Sequence, residues 1–307
     1  MKKALTDGNA EASSALDEAF DRLAFARFEL PNGFVNHGAM ACEALAALGF
    51  EDELDGWARR FARGAGQVVG PVRPVAFEWA EALGDYQTLP EWVGFFIEEI
   101  DGKGWPLVVE TWVPRLLPAL STALFHGAIR AGHAVRAISV ADTPARRQEL
   151  ARALGYWAAR FRPGEPAGPS PEVADVRAAV VAAAAAGAGY YVAEPNIFHL
   201  HGVTGAMAVE LLATHIPEDA AARGLAQVQA EHLALYSRAG RGSRAMRATA
   251  LEPAGAPAQD LARAAEASLD PHQVKLVEAC RRGLQLSGQP VFAAAAETVT
   301  GMFADIA

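Results

Sequence analysis

Eight histidines carry the chain's clearest chemistry: His37, His126, His133, His199, His201, His215, His232 and His272. Several stand among apolar or small residues, in FVNHGAMACEAL, LFHGAIRAGHAVRAI and IFHLHGVTGAMAVELL. A polar ring in such surroundings must find a hydrogen-bond partner or a ligand. One histidine alone is most often a hydrogen-bonded core residue. Several on helices change the balance, because helices bring distant segments to one interior and small neighbours leave room for an ion and a substrate. Neutral imidazole is a preferred ligand of Zn, Cu, Fe and Ni. His199 and His201 lie about 200° apart around a helix, so only one of them can face a given centre. His126 and His133 share a face, but about 10 Å of helix separates them, too far for one ion to take both.

The pair His272 and Lys275 is sharper. At a spacing of i, i+3 both side chains lie on one helix face. Asp270 and Pro271 suit the cap and first turn of that helix. Lysine is scarce here, with only Lys2, Lys3, Lys103 and Lys275, and Lys275 sits among Val274, Leu276 and Val277. Such a lysine can snorkel to the surface. If buried near a metal instead, its amine loses its proton and could ligate directly, or take up carbon dioxide as a carbamate.

Familiar catalytic motifs are missing. There is no GxSxG elbow, HExxH, Walker lysine or ferritin-like ExxH pattern. Gly64, Gly66 and Gly70 in GAGQVVG follow a helical pattern rather than a strand, so they lack the strand–turn–helix context of a dinucleotide site. Cys42 and Cys280 form no CxxC pair and have no activating neighbour, which predicts core thiols.

The motifs NHGAM around His37, YQTLPEWVGFFIEEI from Tyr86, LFHGAIRAGHAV around His126, LHGVTG around His201 and DPHQVK near the C-terminus carry a resemblance. In their order and placement across most of the chain, they resemble the questin oxidase-like family, known from fungal enzymes that open the central ring of anthraquinones. The resemblance implies an all-helical enzyme holding a non-haem iron with several histidines and a lysine that could be carbamylated. Carried to this sequence, the implied ligands are His37, His126, His201, His272 and Lys275. The chain departs from the family where fungal members tend to have a second histidine and a later aromatic residue, carrying Arg130 and His133 instead. Arg130, His133, His199 and Tyr86 are therefore candidates for groups around the metal or substrate.

Helices must position these residues. Apolar residues recur at three- and four-residue spacings over Ser13 to Glu29, around His37 to Leu48 (stopped by Gly49), and over Glu51 to Arg63. Pro90 and the Thr143-Pro144 pair each open a further helix. A tract from Pro106 to Ser139 must be kinked or divided by Pro114 and Pro118. No alternating β-branched runs demand a sheet, so the sequence predicts an all-α, multi-helix bundle with a metal site buried between helices. Residues 1–307 read as one domain, in which the RPGEPAGPSP loop at 162–171 could join two helical halves. A second loop over 239–259, with Arg241, Arg244 and Arg247, is either a lid or a solvated surface loop. Trp79, Tyr86, Trp92, Phe95 and Phe96 would line a pocket for flat rings or pack the core.

Composition bounds the partners. Hydrophobic residues make up 51% and the formal net charge is −9, which excludes disorder as the main state and speaks against nucleic acid. The N-terminus shows no secretory h-region, and the apolar run from Ala178 to Ala193 is short and alanine-rich, which favours an internal helix over a membrane span. A cytoplasmic location is expected. The expected activity is an iron-dependent oxygenase using dioxygen on an aromatic polyketide- or quinone-like molecule. An NADPH-dependent Baeyer–Villiger-type monooxygenase, unsupported by any nucleotide motif, and a non-catalytic helical protein that binds a metal or an apolar ligand are the rivals.

Overall fold

Caps open the helices that matter most. Thr143, Asp175, Asn196 and Asp270 each accept a hydrogen bond from a backbone N–H in the first turn that follows. Those amides have no partner inside a helix, so each cap fixes where the helix begins. Gly49 and Gly288 end the helices before them in the left-handed conformation, Gly288 closing the helix that Asp270 opens.

The computed structural model describes residues 14–65, 79–238 and 258–301. Helix α1 covers 14–23. It is followed by α2 (Gly38–Leu48), α3 (Leu54–Ala65), the single turn α4 (Trp79–Ala82), α5 (Leu89–Lys103) and α6 (Trp105–Leu116). Then come α7 (His126–Val140), α8 (Pro144–Ala159), α9 (Val176–Ala193) and α10 (Ile197–Ala213). The chain continues through α11 (Glu218–Arg238), α12 (Ala258–Ala267), α13 (Pro271–Ser287) and α14 (Val291–Gly301). Among the described residues there is no strand, only an isolated antiparallel bridge between Glu29 and Val35. The fold is all-α.

Helix α7 lies at the centre, packed against α2, α8 and α10. Helix α13 packs against α2, α9, α10 and α14. Helices from both sides of the 162–171 loop thus meet in one core. Glycines allow the closest approaches: a Cβ on Gly132 of α7 would sit 3.1 Å from the Ala208 carbonyl of α10. A Cβ on Gly205 would stand 2.5 Å from the Phe125 ring.

A ladder of charges also crosses this core. Arg136 of α7 bonds both Glu43 of α2 and Glu278 of α13. Arg282 then joins Glu278 to Glu210 of α10, and Arg177 of α9 closes on Glu210 at 2.6 Å. Each carboxylate is almost fully buried. Breaking one such pair leaves a buried charge uncompensated, at a cost of about 3–5 kcal/mol.

Some expectations need correction. The first helix stops at residue 23 rather than Glu29. Beyond it the chain must reverse at Asn32-Gly33, where Gly33 takes a φ of 83°, and pair Glu29 with Val35. Phe28 therefore leaves the helix and stacks on Tyr156. The tract from 106 is divided as expected: α6 contains Pro114, a 3-10 turn spans Leu117–Ala119 around Pro118, and α7 starts afresh at His126. Trp92, Phe95, Phe96 and Trp112 pack on one another with ring centroids 5.1–5.7 Å apart, and Trp79 joins them, so these aromatics build core. Helix α9 is long and apolar enough to cross a membrane by length and composition, and in the fold it packs against α10, α11, α13 and α14. Gly66 and Gly70 of GAGQVVG and Arg241, Arg244 and Arg247 of the second loop lie outside the described residues.

Candidate metal centre

Four histidines converge. His37, His126, His201 and His272 each offer one ring nitrogen, and these atoms all lie within 4.8 Å of one another. They come from four helices, two on each side of the 162–171 loop. His37 is the N-cap of α2, where Asn36 Oδ1 accepts from Gly38 N at 2.9 Å and fixes the turn. His126 is the first residue of α7, and His272 is the second of α13. His201 stands one turn into α10 and is fully buried.

The backbone entering His126 is unusual. Ala123, Leu124 and Phe125 all take positive φ, at 48°, 56° and 65°. Each such non-glycine residue costs about 1–2 kcal/mol. This left-handed turn carries the Ala123 carbonyl to His126 Nδ1, 2.5 Å away.

Hydrogen bonds at the outer nitrogens set the tautomers. A carbonyl can only accept, so His126 Nδ1 donates to Ala123 O, and His201 Nδ1 donates to Ile197 O at 2.7 Å. His272 Nδ1 faces Asp270 Oδ1 at 3.1 Å. In neutral His126 and His201 the Nε2 lone pairs are then bare. His37 Nε2 lies 2.8 Å from His126 Nε2. His126 Nε2 also stands 3.2 Å from His201 Nε2. Bare lone pairs at that range repel unless a cation lies between them. Protonation is a poor remedy: burial above all, with the charge of Lys275 and the neighbouring rings, holds His37, His126 and His201 well below the usual histidine range. Burial also lowers His272, against the pull of Asp270. Nitrogens each about 2.1 Å from a shared ion stand roughly 3–4 Å apart, depending on the angle. The donor set fits a metal, and outer hydrogen bonds of this kind orient metal-bound imidazoles.

Lys275 does not snorkel. It is completely buried, and its Nζ has no hydrogen-bond partner among the described residues. Burial pushes its pKa down to about 7, with Asp270 pulling the other way. Its charge acts on all four cluster histidines.

The four imidazoles form one face of a cavity of about 620 Å³. Phe34, Val35, Leu124, Ile197 and Phe198 make the apolar walls, and Glu29, Thr122, Arg160 and Arg162 supply polar groups.

The remaining candidates lie elsewhere. Arg130 forms a buried bidentate pair with Glu149 and stands over the Phe28 ring. His133 bonds Glu43 in the charge ladder. His199 turns its Nδ1 to the Glu194 carbonyl and packs its ring against Tyr236. Tyr86 lies under the Arg160 guanidinium, 3.8 Å from ring centroid to Cζ, so it supports the cavity through Arg160. His232 donates to or accepts nothing at the cluster; its Nε2 bonds the Gly202 carbonyl. Cys42 and Cys280 are free, buried thiols. The sequence reading missed the cavity walls, although Ile197 and Phe198 precede His201 by four and three residues and so share its helix face.

Compared with known protein families the chain matches none, and no curated protein matches it.

Proposed function

We propose that the chain is a non-haem iron oxygenase acting on an aromatic, polyketide- or quinone-like small molecule, with oxidative ring cleavage as its reaction. The observation that supports this reading is the set of four converging imidazoles, three of them anchored at the outer nitrogen, at the face of an apolar cavity. The resemblance to the questin oxidase-like family supplies the iron and the ring chemistry.

His37, His126, His201 and His272 would hold the iron, with Lys275 beside them. An iron bound there supplies a place where dioxygen can be taken up and activated. The protein's own contributions are binding and orientation. Phe34, Val35, Leu124, Ile197 and Phe198 exclude water from a flat ring and leave one of its edges facing the histidines. The Ala123 and Ile197 carbonyls and the Asp270 carboxylate hold the rings in one tautomer. Lys275 contributes a neutral amine, or a carbamate oxygen once that amine has added carbon dioxide and lost a proton.

The test is metal analysis after anaerobic iron loading, followed by oxygen uptake with quinones and hydroxyanthraquinones. Near-stoichiometric iron and quinone-dependent uptake without NADPH are expected. Absence of bound metal overturns the reading. Uptake that depends on NADPH makes the protein a monooxygenase, and metal without uptake makes it a binding protein.

A further inference from the structure

The cavity's charge points to a feature of its ligand. Among its lining residues are two arginines, Arg160 and Arg162, against one carboxylate, Glu29. Glu29 is already committed: Arg160 donates to it through Nε at 2.8 Å, and the Tyr156 hydroxyl donates to it at 3.0 Å. Arg162 is different. Its guanidinium has no carboxylate partner among the described residues, although the whole chain carries a net charge of −9.

The backbone of Arg162 is fixed despite its exposed side chain. Thr122 Oγ1 donates to the Arg162 carbonyl at 3.0 Å and accepts from the Arg162 amide at 3.3 Å. Two residues on, Gly164 N donates to the Pro118 carbonyl at 2.8 Å. This ties Arg162 to the left-handed turn that precedes His126, and Thr122, Ala123 and Leu124 of that turn also line the cavity. The backbone that carries the cation is therefore held at a set place relative to the histidines.

The helix ends add to the same field. Residues at or near the starts of α2, α7, α10 and α13, namely His37, His126, Ile197 and His272, all line the cavity. Helix N-termini carry partial positive charge and favour anions. Apolar walls with a guanidinium that has no carboxylate partner among the described residues suit a molecule that is mostly hydrocarbon with a single anionic group.

We infer that Arg162 reads a carboxylate or ionised phenol on an otherwise apolar aromatic ligand, and so determines which molecules enter the histidine cavity. This rests on the cavity being the ligand site proposed above. An anion there pairs with Arg162 while the apolar body lies against Leu124 and Phe198, which keeps the ring edge near the histidines.

The test is calorimetric titration of the full chain with anthraquinone-2-carboxylate and with its neutral carboxamide. Both are run on protein with its bound metal and again after chelator treatment, because a metal also attracts carboxylates. The carboxylate should bind at least about fivefold tighter than the amide in both forms, and the advantage should shrink with added salt. In Arg162→Gln the two probes should bind within about twofold of each other, with the amide's affinity unchanged. Arg162 has an exposed side chain and keeps its backbone bonds in that variant, so folding is preserved. Equal binding of the two probes to the unaltered chain overturns the inference while leaving the cavity reading intact. A preference that survives Arg162→Gln, or disappears on chelation alone, also overturns it. Failure of both probes to bind removes the cavity reading and this inference together.

Discussion

His126 and His201 hold their Nε2 atoms 3.2 Å apart while each commits its Nδ1–H to a backbone carbonyl, Ala123 O and Ile197 O respectively. Neither nitrogen can donate to the other in the neutral state. The fold thus builds an electrostatic conflict at its centre that a shared cation resolves. The conflict comes from one backbone carbonyl in the turn before α7 and one in α10, so it is built into the backbone around both rings.

Metal affinity should follow this arrangement residue by residue. His201→Ala removes a fully buried donor, and affinity should fall by more than about a hundredfold. Asp270→Asn keeps a good helix cap but withdraws the carboxylate from His272 Nδ1, so its loss should be smaller, about tenfold to a hundredfold. Competition with a chromophoric chelator measures both. Equal affinity in His201→Ala and the unaltered chain would remove that histidine from the centre.

Acid should destabilise the metal-free protein before its carboxylates titrate. His37, His126 and His201 are held below their ordinary range in the fold, chiefly by burial. Below a pH of about 6.5 the unfolded chain therefore binds protons that the folded chain refuses. The histidines' contribution is complete above that value and falls as pH drops toward the folded pKa values, by up to about 1.4 kcal/mol per pH unit for each histidine. Urea unfolding of chelator-treated protein at about pH 7 and about pH 5.5 should show the drop. A triple His→Gln variant at the same positions should show a shallower one, and identical slopes would refute the account.

Helix starts and candidate donor residues were legible in the sequence because both depend on short-range pattern. Asp270, Pro271 and His272 announce a cap, a first turn and a ring at the mouth of α13, and the structure places all three there. The incompatibility of His199 with His201 followed from helix geometry alone, and only His201 joins the cluster. The burial of Lys275 could not be read, since it depends on α2, α9, α10 and α14 closing around α13. The turn from Ala123 to Phe125 carries no glycine or asparagine, so nothing local announces its left-handed backbone. Arg130 and His133 stand where the family resemblance implies groups around the metal or substrate, but Glu149 and Glu43, contributed by other helices, draw them away.

That turn should show its strain when relaxed. Glycine at Ala123 removes a left-handed penalty of about 1–2 kcal/mol and adds an unfolded-state entropy cost of about 0.5–1 kcal/mol. Ala123→Gly should therefore be neutral or stabilising by up to about 1.5 kcal/mol. Ala131→Gly, buried within α7, should instead cost at least about 1 kcal/mol. Chemical denaturation of the two variants side by side decides the point. A similar loss in both would mean that the turn is not strained.

Lys275 should trade stability against metal binding. Its pKa falls from 10.5 to about 7 on burial, so at neutral pH and below the fold bears the cost of dehydrating an amine or stripping its proton. Because the folded value lies below the unfolded one, that cost is absent above about pH 10.5 and reaches its full size as pH falls to about 7. Lys275→Met keeps most of the side-chain volume and removes the amine. Metal-free Lys275→Met should be more stable than the unaltered chain by a few kcal/mol near neutral pH. If the amine or its carbamate serves the histidine centre, the same variant should bind metal more weakly, and its thermal midpoint should gain less on metal addition. A stabilised variant with undiminished metal affinity would leave Lys275 as a buried charge with no part in the centre, and a destabilised metal-free variant would show that the amine is not a burden to the fold.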